Sequence, residues 1–97
     1  MSDVGGPELL HLERTGGFAG MTVDRQVDLD ALDPEDAAAW RALLHSPLLR
    51  ELADEPPQPD RFVYRLTHER GGIDVVAAEQ QLPDDVRALL ERTLRQR

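Results

Sequence analysis

Apolar and polar residues alternate from Glu8 to Arg14 (Glu-Leu-Leu-His-Leu-Glu-Arg), which puts Leu10 and Leu12 on one face of a predicted strand. The same period of two returns from Met21 to Leu29. There Met21, Val23, Val27 and Leu29 alternate with Thr22, Asp24, Gln26 and Asp28, and Arg25 interrupts the apolar row. Two such strands around a glycine-rich stretch predict a hairpin. The spacing then lengthens to that of a helix. Asp33-Pro34-Glu35-Asp36 is a strong start signal: Asp33 is placed to cap free N–H groups, Pro34 suits the first helical position, and the acids favour the positive end of the dipole. Ala37, Trp40, Leu43 and Leu44 fall on one face, which reads Trp40 as core. Ser46-Pro47 repeats the start signal, so the first helix should end near His45, and a short second helix should turn Leu48, Leu49 and Leu52 inward.

Glu55-Pro56-Pro57-Gln58-Pro59-Asp60 reads as a stiff connector inside one domain. Beyond it, Arg61 to Glu69 is the clearest strand, with Phe62, Tyr64 and Leu66 on one face. Arg70-Gly71-Gly72 supplies a turn, and Ile73 to Glu79 returns with Ile73, Val75 and Ala77 alternating. Pro83-Asp84-Asp85 opens a last helix striped by Val86, Leu89, Leu90 and Leu94, and Arg87, Arg92, Arg95 and Arg97 weight its C-terminal half with positive charge. The order ββααββα predicts an α+β fold in a single small domain. Its sheet would be antiparallel and four-stranded, built from two hairpins, with two to three helices packed on one face. Residues 1–7 read as a flexible N-terminal tail and residues 8–97 as the domain; a loose ββα similarity relates its two halves.

Composition narrows the partners more than the fold. The 97 residues are 40% hydrophobic and 31% charged, ordinary values for a globular chain. A net charge of −8 argues against nucleic acid and against an anionic membrane surface as partner. No apolar run approaches the roughly 20 residues that span a bilayer. The N-terminus carries neither a basic nor an apolar signal region, so a cytoplasmic location is expected. Without cysteine there is no disulfide framework, thiolate nucleophile or Cys-ligated metal.

The remaining candidates for chemistry have simpler explanations. His11, His45 and His68 lie in different elements; His11 and His68 can meet across strands, but surface strand histidines account for them more simply than a metal site. Glu35/Asp36 and Asp84/Asp85 stand at helix starts, where capping and dipole complementarity explain them better than acid–base work. Ser46 reads as an N-cap, not a nucleophile. Gly16 to Gly20 lacks the following helix and the Lys-Ser/Thr pair of a phosphate loop. The expectation is a non-enzyme with no catalytic residue, metal or cofactor.

What is left is Thr15-Gly16-Gly17-Phe18-Ala19-Gly20, three glycines around one aromatic residue at a chain reversal. A plain turn needs one or two residues able to take positive φ, and extra glycines cost backbone entropy. Two readings stand: Phe18 folds back onto the sheet and the glycines serve the turn, or the loop presents Phe18 as an aromatic anchor to a partner's apolar pocket.

This stretch, following Glu13-Arg14, resembles the signature of the emfourin (protealysin inhibitor) family. Leu32-Asp33-Pro34-Glu35, Pro56-Pro57-Gln58-Pro59, Asp60-Arg61-Phe62-Val63-Tyr64 and Leu82-Pro83-Asp84-Asp85 are similar too, so the resemblance runs from about Glu8 to Leu94. The Gly-Pro tail and a strand from Ile73 to Gln81 that loses apolar character at its end depart from it. The resemblance implies an inhibitor of thermolysin-like zinc metalloproteases, a monomer when free, which needs no metal of its own. Such proteases favour a bulky apolar side chain just beyond the scissile bond. The implied site is therefore the loop Gly16, Gly17, Phe18, Ala19 and Gly20 entering the cleft, with Arg14, Thr15 and Met21 as its rim. The competing class is a non-inhibitory adaptor that docks a partner through the same hairpin.

Overall fold

The computed structural model describes residues 8–16, 22–52 and 61–95. The tail at 1–7, the connector at 55–60 and most of the glycine stretch lie outside them. Four strands form one antiparallel sheet: β1 (Leu9–Gly16), β2 (Val23–Asp28), β3 (Phe62–His68) and β4 (Ile73–Ala78), in the order β2-β1-β3-β4. Helices α1 (Pro34–His45) and α2 (Asp84–Arg95) complete the α+β architecture.

Each hairpin pairs its own strands, and the two hairpins join through β1 and β3, with Leu12 opposite Leu66 and Arg14 opposite Tyr64. The period of two then decides the layers. Leu10, Leu12, Tyr64, Leu66, Ile73 and Ala77 bury toward the helices, where Trp40, Leu43 and Leu44 of α1 and Leu89, Leu90 and Leu94 of α2 meet them. The opposite face carries His11, Glu13, the Arg65–Asp74 ion pair and Val76, which is 60% exposed. Arg25 stands in the core-facing row opposite Leu12 but belongs to an edge strand, so it stays exposed and donates to the Asp24 carbonyl at 2.8 Å.

The ββα similarity of the halves is a structural repeat. After β2 and after β4 the chain makes a 3-10 turn, Leu29–Ala31 and Glu79–Gln81. Each turn is followed by a buried leucine, Leu32 or Leu82, whose N–H bonds back to the turn's first carbonyl. A helix follows each leucine. The second turn also explains the polar end of the predicted fourth strand: pairing stops at Ala78, whose N–H is taken by the Gln81 side chain at 2.9 Å.

Three local expectations change. Asp33 makes no side-chain cap; its carbonyl accepts the Ala37 N–H at 2.8 Å, while Pro34 removes one orphan donor and Glu35 and Asp36 supply the negative charge. The expected second helix is a single 3-10 turn, Leu49–Glu51, because the backbone returns to extended geometry at Leu52. Ser46 closes α1 as its C-cap and accepts the Leu48 N–H at 3.1 Å, while the N-cap of the 3-10 turn is Leu48, which makes no side-chain cap; Leu49 is buried. Finally, His68 is not a surface residue beside His11. It continues the row of Tyr64 and Leu66 on the covered face, while His11 faces solvent opposite Thr67. The Gly71 N–H donates to His68 Nδ1 at 3.1 Å, and the other ring nitrogen, Nε2, faces Glu8 Oε2 at 3.1 Å. Arg41 in turn joins Glu8 to Asp30.

A buried polar contact joins the helix pair, beside the surface ion pair of Arg92 with Asp36. Trp40 is fully buried, and its indole N–H donates to Thr93 Oγ1 at 2.8 Å; the Thr93 hydroxyl donates to the Leu89 carbonyl at 2.8 Å. Thr93→Val keeps the shape but strands the indole N–H, and should cost about 1–3 kcal/mol. Urea unfolding followed by the fluorescence of the single tryptophan measures this, with Thr93→Ser expected to lose less.

Candidate functional site

The glycine stretch connects β1 to β2, so its ends are set by the last residues of β1 and the first of β2. Arg14 pairs with Val23 on one side and Tyr64 on the other. Thr15 lies opposite Val63 and is half-buried, and Gly16 ends the strand opposite Phe62. Gly17, Phe18, Ala19, Gly20 and Met21 lie outside the described residues.

Gly16 has two separate reasons to be glycine. Its φ is +101°, a region that residues with a Cβ rarely adopt, and a Cβ would sit 2.6 Å from the Arg61 carbonyl oxygen. The loop therefore departs from a backbone pressed against the entry to β3.

Arg14 continues the Leu10–Leu12 row, so its side chain points under the helices. There its guanidinium donates to Glu91 Oε1 of α2 at 2.6 Å and lies 4.4 Å from the centre of the Phe62 ring. The Tyr64 hydroxyl donates to the other carboxylate oxygen, Glu91 Oε2, at 2.7 Å. Phe62 is held too, its N–H donating to Glu79 Oε1 at 2.7 Å. Arg14 and Glu91 side chains are each only 23% exposed, so this pair is worth more than a surface salt bridge. Burial pushes the Glu91 carboxyl up, but the hydrogen bonds from Tyr64 and Arg14 outweigh it and hold it below the ordinary value. Burial, then the Glu91 hydrogen bond and charge, push the Tyr64 phenol well above its ordinary range.

The sequence reading set Arg14 on the rim of the loop, but its side chain turns under the helices onto Glu91 and Phe62 because it continues the core-facing row; Glu91, Tyr64, Phe62 and Glu79 were not read as its partners. The available signal was Arg14 itself, a cation in an apolar row that needs an acid from a covering element, and a core tyrosine whose hydroxyl needs a partner. Among the described residues, the solvent-facing side of the sheet carries a depression edged by His11, Asp24, Gln26 and Thr67. Among the described residues, no group of three His or acidic side chains is arranged to hold a metal.

The fold and site define a small α+β domain in which paired strands, braced by a helix, hold both ends of a glycine-rich connection. The emfourin family model matches residues 12–94, and the chain belongs to that family. A solved structure of emfourin from Serratia proteamaculans, described as an M4 family peptidase inhibitor, is 19% identical and covers 96% of this chain and 94% of its own, with a TM-score of 0.43. No curated protein matches significantly.

Gly16→Ala should destabilise the domain by about 1–3 kcal/mol, read by chemical denaturation, because both backbone strain and the Arg61 clash must be relieved. The single tyrosine makes the Glu91 contact directly observable. Its phenolate absorbance should rise only well above pH 10 in the folded protein, and closer to about 10 in Glu91→Gln. The raised phenol contributes stability that is present below the unfolded value near 10 and lost above it. The lowered Glu91 carboxyl contributes stability that is lost as pH falls below about 4.5.

Proposed function

We propose that this protein is an inhibitor of thermolysin-like zinc metalloproteases, acting as a monomer when free. The Gly16–Gly20 loop enters the active-site cleft, and Phe18 fills the apolar pocket just beyond the scissile bond. Thr15 and Met21 form the rim, and Arg14 backs the loop from the helix side. Family membership supports the class of activity. The observation that carries the mechanism is the root of the loop, where Gly16 lies against Arg61 and Arg14 is clamped by Glu91. A loop that resists cleavage needs ends held at a fixed separation, so that the cut strands stay together and the bond reseals or never reaches the reactive geometry. In this reading the protein supplies no catalytic group or cofactor.

Titrating a thermolysin-like protease with the protein, with a chromogenic peptide as substrate, should give stoichiometric loss of activity. No effect on several such enzymes would favour the adaptor reading. Phe18→Ala should weaken inhibition by about 2 kcal/mol or more, roughly thirtyfold in the inhibition constant. Unchanged inhibition by that variant sinks the loop assignment.

A further inference from the structure

We propose that Glu91 and Tyr64 are positioning residues for inhibition: α2, far from the loop in sequence, fixes the loop's root through one carboxylate that holds Arg14 and the Tyr64 hydroxyl together. This rests on the loop reading above. Four observations converge on it. Glu91 uses both oxygens, one for Arg14 of β1 and one for Tyr64 of β3, at 2.6 and 2.7 Å. These donors are directly opposite each other across the central strand pair, so the carboxylate staples the two strands where the loop begins. The Arg14 guanidinium is also stacked on Phe62, which faces Gly16 in register and is itself held by Glu79 from the turn before α2. Gly16 ends β1 with no room for a Cβ beside the Arg61 carbonyl, so a shift of β3 moves the loop's departure point.

Arg14 is thereby committed to the protein's own interior, with one guanidinium nitrogen on Glu91 and its face on Phe62. Its part in inhibition is that of a strut: it sets where the strand end sits. A strut matters most when the loop is under load in the protease cleft. The loss of Glu91 or of the Tyr64 hydroxyl should therefore act chiefly on the complex, through faster dissociation and through cleavage of the loop. Given a bulky apolar residue beyond the scissile bond, the bond exposed to hydrolysis is Gly17–Phe18.

The test uses the full chain and a thermolysin-like protease that it inhibits. Glu91→Gln retains an acceptor oxygen but loses the charge, and Tyr64→Phe removes only the hydroxyl. Glu91→Gln should raise the inhibition constant by about tenfold, mostly in the dissociation rate, and Tyr64→Phe by less. Mass spectrometry after long incubation should show cuts confined to Gly17–Phe18 in both variants and an intact wild-type chain. Combining Phe18→Ala with Glu91→Gln should lose less than the two single effects added, since a strut has little to hold once its anchor is gone. Wild-type inhibition constants and resistance in both single variants overturn the proposal, and so do cuts spread along the chain, or additive losses, which mark a purely structural role. If Glu91→Gln fails to fold, Tyr64→Phe decides by the same readouts. Failure of the loop reading is separate, because it shows as wild-type inhibition by Phe18→Ala alone.

Discussion

Because β1 pairs with β3 in the register that sets Leu12 against Leu66, Arg14 and Tyr64 necessarily face the same way, under α2. A slip of one residue would put Leu10 and Leu12 on the opposite face from Tyr64 and Leu66 and turn one of the two rows out to solvent, so burial of one sheet face holds this register firmly. Everything that distinguishes the molecule follows from that constraint. The two ββα halves meet at this central pair, the helices cover the face it defines, and the loop leaves the sheet at its end.

Burying one face of a four-stranded sheet leaves polar groups inside; His68 is met by the Gly71 N–H and Glu8, and two further sets are met by helix side chains. Trp40 needs an acceptor and finds Thr93, which links α1 to α2 and returns its own proton to the helix backbone. Arg14 and Tyr64 need an acceptor that satisfies two donors, and a half-buried carboxylate does so without leaving a charge unpaired. The first contact fixes the helices to each other. The second fixes α2 to the strands, and it does so at the root of the connection that the proposed function uses. In the proposed function, stability and recognition share a group at Glu91.

Most of the fold was legible because its signals are local. Alternation placed all four strands to within a residue or two, Pro34 and Pro83 marked both helices, and Trp40 was readable as core from its spacing with Ala37, Leu43 and Leu44. The misreadings were also local in cause. Asp33 looked like a cap because its residue type favours one, yet proline and two acids already met the need. Three leucines after Ser46-Pro47 suggested a helix, but the chain turns extended at Leu52 after one tight turn. His68 was set on the surface although the Phe62-Tyr64-Leu66 row, extended by two, places it under the helices. Of the candidate site, the glycines around one aromatic residue stand out in any sequence, whereas Glu91, which clamps the end of β1, reads only as a polar position beside Leu90.

The sequence by itself determined which segments are strands and helices, which face of each is apolar, and where an unusual loop must occur. Those properties depend on neighbours within a few residues, which a linear pattern records. Only the tertiary structure decided that Arg14 points inward to a carboxylate 77 positions away, that Gly16 is pressed against the Arg61 carbonyl, and that the two hairpins join through β1 and β3. Charge pairing and steric contact depend on distance in space, and residues far apart in the chain acquire that distance only when the sheet closes beneath its helices.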